Sequence, residues 1–205
     1  MNHLRIKVCG ITREVDAEAA ERAGADAVGF VFAKASKRHV SIERAAELAA
    51  ALGPFVVRVG VFVDAPLHEV QRAVEVAGLD AVQLHGTEDA AFAASVARRT
   101  KVIRALSFAP DVTPAALATY PAAAVLLDAS APGSGQTFAW HEARDWRGHP
   151  RLVLAGGLNP GNVAAAVAAL NPYGVDVSSG VETAPGIKSE ALIRRFVEAA
   201  RGAAT

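Results

Sequence analysis

Cysteine occurs once in this chain, at Cys9, so no internal disulfide can form and a reducing compartment is expected. Net charge is missing as well: 21 Lys and Arg balance 21 Asp and Glu. That balance removes the global field that would draw nucleic acid or an anionic membrane, so neither is an expected partner. An anionic ligand would have to be held by a local site. No apolar run approaches the roughly 20 residues needed to cross a bilayer. The first nine residues include Arg5 and Lys7 and no long apolar stretch, so no signal peptide is expected and the expected location is cytoplasmic. Linkers rich in Pro, Gly or Ser and low-complexity tracts are absent too, which predicts one domain over residues 1–205. Hydrophobic residues, by contrast, make up 52% of the chain, which excludes a disordered polymer, and the many alanines among them favour helices.

Two textures alternate along the chain. Runs rich in Val, Ile, Leu and Phe predict strands at Leu4–Cys9, Ala27–Phe32, Val56–Val63, Ala81–His85, Val102–Leu106, Ala124–Asp128, Arg151–Ala155 and Gly174–Val177. Between them, helical spacing predicts helices over Arg13–Ala23, Ile42–Ala51, Leu67–Ala77, Asp89–Arg99, Pro114–Thr119, Asn159–Leu170 and Glu190–Ala200, with a weaker helical pattern over Phe138–Arg147. Thr12 and Ser41 are suited to N-caps, Pro66 and Pro114 to first turns, and Gly24, Gly53 and Gly78 to C-terminal caps. Strict β/α alternation implies a parallel sheet, and eight strands is the number that closes a (β/α)8 TIM barrel. The rival is an open doubly wound sheet, but the first turn, Cys9-Gly10-Ile11-Thr12, lacks the glycine fingerprint of a dinucleotide site.

Strand parity predicts which residues meet inside. Leu4, Ile6 and Val8 share one face of the first strand, and Arg5, Lys7 and Cys9 the other. The same division sets Val59, Val61 and Val63 against Gly60, Phe62 and Asp64. It sets Val82 and Leu84 against Gln83 and His85, Val125 and Leu127 against Leu126 and Asp128, and Val175 and Val177 against Asp176 and Ser178. With the branched face under the helices, the polar residues gather inside, many at the C-terminal strand ends where such barrels place their chemistry.

A lone cysteine is more often a small buried hydrophobe than a base. Cys9, however, closes the first strand at the functional end, and Lys7 shares its inward parity; a neighbouring ammonium is expected to hold the thiol pKa below its ordinary value. A thiolate can then remove a carbon-bound proton that is already acidified. Asp128 ends the apolar run Val125-Leu126-Leu127; such a carboxylate can cap a loop, or, desolvated at the barrel mouth, hold a proton as a general acid. Glycine turns follow the last three strands at Gly133-Ser134-Gly135, Gly156-Gly157 and Ser178-Ser179-Gly180, and the turns after strands seven and eight are where barrels of this kind bind phosphate. Arg38, in Ser36-Lys37-Arg38, belongs to a basic loop cluster of the kind usually just solvated, but its position at the functional end would allow a guanidinium to grip a carboxylate bidentately. His85, Asp64, Asp128 and Cys9 could be read as metal ligands, but no pair has helical ligand spacing, so no metal is expected.

Taken in order across nearly the whole chain, these stretches resemble the phosphoribosylanthranilate isomerase family of tryptophan biosynthesis. They are Lys7-Val8-Cys9-Gly10-Ile11-Thr12, Gly29-Phe30-Val31-Phe32, Ser36-Lys37-Arg38, Val59-Gly60-Val61-Phe62, Gln83-Leu84-His85-Gly86 and Leu127-Asp128. There follow Gly133-Ser134-Gly135-Gln136-Thr137-Phe138, Leu154-Ala155-Gly156-Gly157-Leu158, Val175-Asp176-Val177-Ser178-Ser179-Gly180-Val181-Glu182 and Pro185-Gly186-Ile187-Lys188. The chain departs from the family pattern at Pro132-Gly133-Ser134, where an extra Gly or Thr is frequent. The resemblance implies an Amadori rearrangement of a small phosphorylated substrate by Asp128 as acid and Cys9 as base. It implies that Arg38 binds the anthranilate carboxylate, that Gly156, Gly157, Ser179 and Gly180 hold the phosphate with help from Gly135, and that Asp176 orients substrate. No cofactor and no metal are implied, and the chain is expected to act as a monomer or homodimer. A metal-dependent sugar-phosphate epimerase and a barrel that only binds a phosphorylated metabolite are the alternatives.

Overall fold

The computed structural model describes residues 4–109, 112–128 and 140–204. Eight parallel strands close into a barrel in sequence order: β1 (Arg5–Cys9), β2 (Ala27–Val31), β3 (Val57–Phe62), β4 (Ala81–Leu84), β5 (Lys101–Ser107), β6 (Ala124–Asp128), β7 (Leu152–Leu154) and β8 (Gly174–Val177). Closure pairs β8 with β1 and puts Lys7 opposite Asp176 in register, while Cys9 lies opposite Gly29 of β2. The helices α1 (Glu14–Arg22), α2 (Ile42–Ala50), α3 (Leu67–Val76), α4 (Ala90–Ala97), α5 (Val163–Leu170) and α6 (Glu190–Ala203) supply most of the outer layer. A short antiparallel hairpin, β9 (Glu182–Ala184) with β10 (Ile187–Lys188), follows β8 and lies outside the barrel sheet.

The core is the annulus between strands and helices. Ile6, Val8, Val82, Leu84, Val125, Leu127, Val175 and Val177 all lie in it, as parity predicted for four of the strands. Ala105, Leu126 and Ala155 form a separate small cluster inside the barrel. β3 reverses the expectation. Phe62 joins the annular core, Phe32 stacks on it at 4.8 Å between ring centroids, and Gly60 backs against Leu79 and both rings. Val59 and Val61 are buried on the opposite, inward face. Two stacked aromatics need the wider space under the helices, and volume overrode the preference for branched residues there.

Other departures have local causes. Pro114–Leu117 is a single 3-10 turn, with Ala118 N donating to Ala115 O, because six residues are too few to sustain an α-helical ladder. Trp140–Trp146 is 3-10 and breaks at Ala143 (φ −91°, ψ 28°); Trp146 is nonetheless fully buried and its indole N–H donates to Val112 O at 3.0 Å. α5 begins at Val163, not Asn159, because Asn162 Oδ1 accepts from Asn159 N at 2.8 Å and holds a turn instead. Ser41 caps α2 as predicted, accepting from Arg44 N. Thr12 does not cap α1: its hydroxyl donates to Gly186 O at 2.6 Å and ties the β1 loop to the β9–β10 hairpin.

Candidate active site

The first strand builds the floor of the mouth. Lys7 and Cys9, two residues apart, share the inward face. Lys7 is buried, and its ammonium donates to Asp176 Oδ1 and to Gln83 Oε1, each at 3.0 Å. Burial works against that ammonium, but Asp176 and Cys9 outweigh it and the Lys7 pKa rises. Burial raises Asp176 in turn, with Lys7 as the main opposing charge. Directly above lies Cys9. Glycine at position 29 of β2 leaves these side chains their places: a Cβ there would sit 2.7 Å from Cys9 Sγ and 3.1 Å from Lys7 Cε and would force one of them to move.

The predicted direction of the Cys9 pKa is overturned. Burial pushes the thiol above its ordinary value; Lys7 pulls down hardest, Asp176 adds to the rise, and Lys188 opposes it. Removing a thiolate from water costs more here than one shared ammonium returns, since Lys7 is already paired with Asp176. The thiol is therefore the resting form at neutral pH.

Asp128 closes β6 at the same end of the barrel and is buried. With Asp176, the Gly156-Gly157 turn and Ser178-Ser179 it lines an open pocket of about 50 Å³. Asp176 thus borders the pocket of Asp128 and acts electrostatically on Cys9. His85, just after β4, brings Nε2 to 3.8 Å from Asp128 Oδ2. Burial, and then the charges of Lys7 and Arg104, hold His85 below its ordinary pKa, so its imidazole is neutral. Its Nε2 is buried without a hydrogen bond among the described residues.

Gly156 and Gly157 have φ of 81° and 66°, a left-handed pair that side chains disfavour. Asn162 Nδ2 donates to Gly157 O at 3.0 Å and steadies that turn. Ser179 and Gly180 begin a 3-10 turn after β8, and a Cβ on Gly180 would overlap the Leu158 carbonyl oxygen. The two turns are packed backbone against backbone, as a close-fitting anion cradle requires. Gly135 and its turn, Gly133-Ser134-Gly135, lie outside the described residues.

Arg38 is brought to this mouth but is not alone there. Its Nε and Nη2 donate to Glu182 Oε1 and Oε2 at 2.8 and 2.7 Å, which raises its pKa. Lys188 donates to Glu182 Oε1 at 2.8 Å and to Ser178 O at 3.1 Å, and Ser178 Oγ donates to Cys9 O at 3.0 Å. Glu182 and Lys188 carried no assigned role in the sequence. Both lie in stretches that resemble the family, yet a charge on a strand of two or three residues has no periodic signature. Elsewhere at the mouth, Asp64 accepts from Thr87 and is not gathered with Cys9. Among the described residues no group of three or more His, Cys, Asp or Glu could hold a metal ion.

A family model described as N-(5'phosphoribosyl)anthranilate (PRA) isomerase matches residues 6–199. The N-(5'-phosphoribosyl)anthranilate isomerase of Geobacter sp. (strain M21) is 49% identical over 201 residues, covering 96% of this chain and 98% of that protein. Among solved structures, the phosphoribosyl anthranilate isomerase from Thermus thermophilus superposes with a TM-score of 0.90 at 46% identity, over 96% of this chain and 98% of that one. A phosphoribosyl anthranilate isomerase in complex with reduced 1-(o-carboxyphenylamino)-1-deoxyribulose 5-phosphate superposes with a TM-score of 0.87 at 40% identity, over 97% of this chain and 99% of that one.

Proposed function

We propose a residue-level mechanism from one premise: this chain belongs to the N-(5'-phosphoribosyl)anthranilate isomerase family. It is an isomerase of tryptophan biosynthesis, and its reaction is the Amadori rearrangement of N-(5'-phosphoribosyl)anthranilate to 1-(2-carboxyphenylamino)-1-deoxyribulose 5-phosphate. In our reading Asp128 is the general acid and Cys9 the general base.

Asp128 gives its proton to the furanose ring oxygen, the C1–O bond breaks, and the sugar opens to an iminium. As substrate binds, Cys9 gives its thiol proton to solvent, and takes one back when product leaves; the iminium acidifies the C2 proton and favours the thiolate beside it, which offsets the burial that otherwise keeps Cys9 protonated. The thiolate takes the C2 proton and leaves an enolamine. Return of a proton to C1 and loss of the C2 hydroxyl proton to the Asp128 carboxylate give the ketose and restore both groups. Protons balance, and the electron pairs stay within the substrate.

The observation that carries the reading is the placement of Cys9 and Asp128 at the last positions of β1 and β6, with Asp176 bordering the surroundings of both. Arg38 takes the anthranilate carboxylate, and Asp176 orients the sugar. Gly156, Gly157, Ser179 and Gly180 receive the phosphate, assisted by Gly135. A working thiol that must stay reduced suits the cytosol. No helix among the described residues is long and apolar enough to cross a membrane. The chain works as a monomer or homodimer, which sedimentation velocity distinguishes.

Anthranilate fluorescence, followed while purified protein consumes its substrate, tests the assignment. Cys9→Ser and Asp128→Asn should each lower turnover by about 10²–10⁴-fold while the circular dichroism stays native. Near-normal turnover in both variants would remove the mechanism.

A further inference from the structure

We infer that Glu182, braced by Lys188, is the positioning residue that presents Arg38 to the substrate carboxylate. The inference rests on the Arg38 clamp proposed above. Glu182 grips the guanidinium side-on, through Nε and Nη2. A guanidinium has five N–H donors in a rigid plane, and this grip occupies one edge. The end-on edge, formed by Nη1 and the second Nη2 hydrogen, keeps its own parallel pair for a second carboxylate. The protein carboxylate and a ligand carboxylate therefore use different edges and do not compete.

Glu182 is itself fixed. Its Oε1 accepts from Arg38 Nε, from Lys188 Nζ at 2.8 Å and from Gly186 N at 3.2 Å. The side chains of Arg38, Glu182 and Lys188 are only 16%, 5% and 0% exposed. The Arg38 stem is seated as well, since a Cβ on Gly10 would lie 2.5 Å from Arg38 Cδ. Two cations share one carboxylate in this group, so one positive charge is left over at the mouth. Such a surplus in a largely buried group attracts an anion, and the proposed clamp supplies the geometry for a planar carboxylate. This gives the β9–β10 hairpin a purpose: its first residue holds Arg38 and its last braces that residue. A stability device alone would need neither a guanidinium edge that makes no hydrogen bond among the described residues nor the unbalanced charge.

Glu182→Gln keeps the shape but removes the charge and one prong of the fork. We would compare it with Arg38→Ala and the double variant, using anthranilate and inorganic phosphate separately as competitive inhibitors. The expected result is a rise of about tenfold in KM and in the anthranilate inhibition constant, a phosphate inhibition constant within about twofold, and kcat reduced less than KM is raised. On the Arg38→Ala background, Glu182→Gln should add little, as expected for residues acting through one contact. Glu182→Ala with Lys188→Met, which removes both buried partners, repeats the test if the single variant folds poorly. Parallel rises in both inhibition constants would reveal a merely structural role and overturn the inference. If Arg38→Ala weakens anthranilate while Glu182→Gln does not, the inference fails and the clamp stands. If Arg38→Ala leaves anthranilate binding unchanged, the clamp itself is wrong.

Discussion

Lys7→Met removes the ammonium that Asp176 and Gln83 share at the barrel centre. The Lys7–Asp176 pair is 3.0 Å long with side chains 7% and 9% exposed, so solvent screens it little. Deleting one partner of such a pair costs about 3–5 kcal/mol, because the other charge stays buried. In a domain of this size each kcal/mol moves the thermal midpoint by about 2–4 °C, so the variant should melt about 6–20 °C lower. Lys188 still acts on Asp176, which favours the lower end of that range. The pH dependence has a definite sign. Asp176, already raised by burial, loses its main opposing charge and rises further. A carboxyl whose folded pKa exceeds its unfolded value stabilises most below the unfolded value and loses that contribution as pH climbs through the folded one. The variant's deficit should therefore widen from acid towards neutral pH. Catalysis should shift in step: Cys9 loses its strongest downward influence, so the acid limb of kcat/KM moves to higher pH and activity partly returns in alkali. Differential scanning calorimetry across pH, with pH–rate profiles, reads both effects. Adding Asp176→Asn should recover most of the lost stability. An unchanged acid limb together with a midpoint within a degree or two of wild type would refute the electrostatic account of this floor.

Gly29→Ala should cut kcat about tenfold or more with the fold intact, because its methyl must displace Cys9 Sγ or Lys7 Cε; steady-state kinetics with unaltered kcat would count against that packing. Gly180→Ala should raise KM and weaken inhibition by inorganic phosphate, since the added carbon drives the β8 turn off the Leu158 carbonyl; retention of wild-type phosphate inhibition would dissociate this turn from the phosphate. The Glu182 carboxyl is disfavoured by burial, yet Arg38 and Lys188 together hold it below the ordinary range. A depressed carboxyl stabilises above its unfolded pKa and loses that as pH falls through the folded one. Wild-type thermal midpoints should accordingly drop more steeply below about pH 4.3 than those of Glu182→Gln, and parallel curves would contradict this.

The sequence by itself determined the eight strands of the barrel, the alternation that makes the sheet parallel, and the inward faces of β1, β4, β6 and β8, but not the β9–β10 hairpin. It also placed Cys9 and Asp128 at strand ends and the glycine turns after β7 and β8. These features follow from near neighbours: a two-residue side-chain period, a cap such as Ser41, a turn that needs glycine. Closure of the barrel decided the rest. The inward face of β3 depended on where Phe32 and Phe62 found room, and the use of Thr12 depended on a hairpin 174 residues away. The partner of Arg38 lies 144 residues distant, and the Lys7–Asp176 pair spans 169. The pKa direction of Cys9 was illegible for the same reason: a linear chain shows which charges exist, but only the folded barrel shows how much water each has lost and which neighbour it must share.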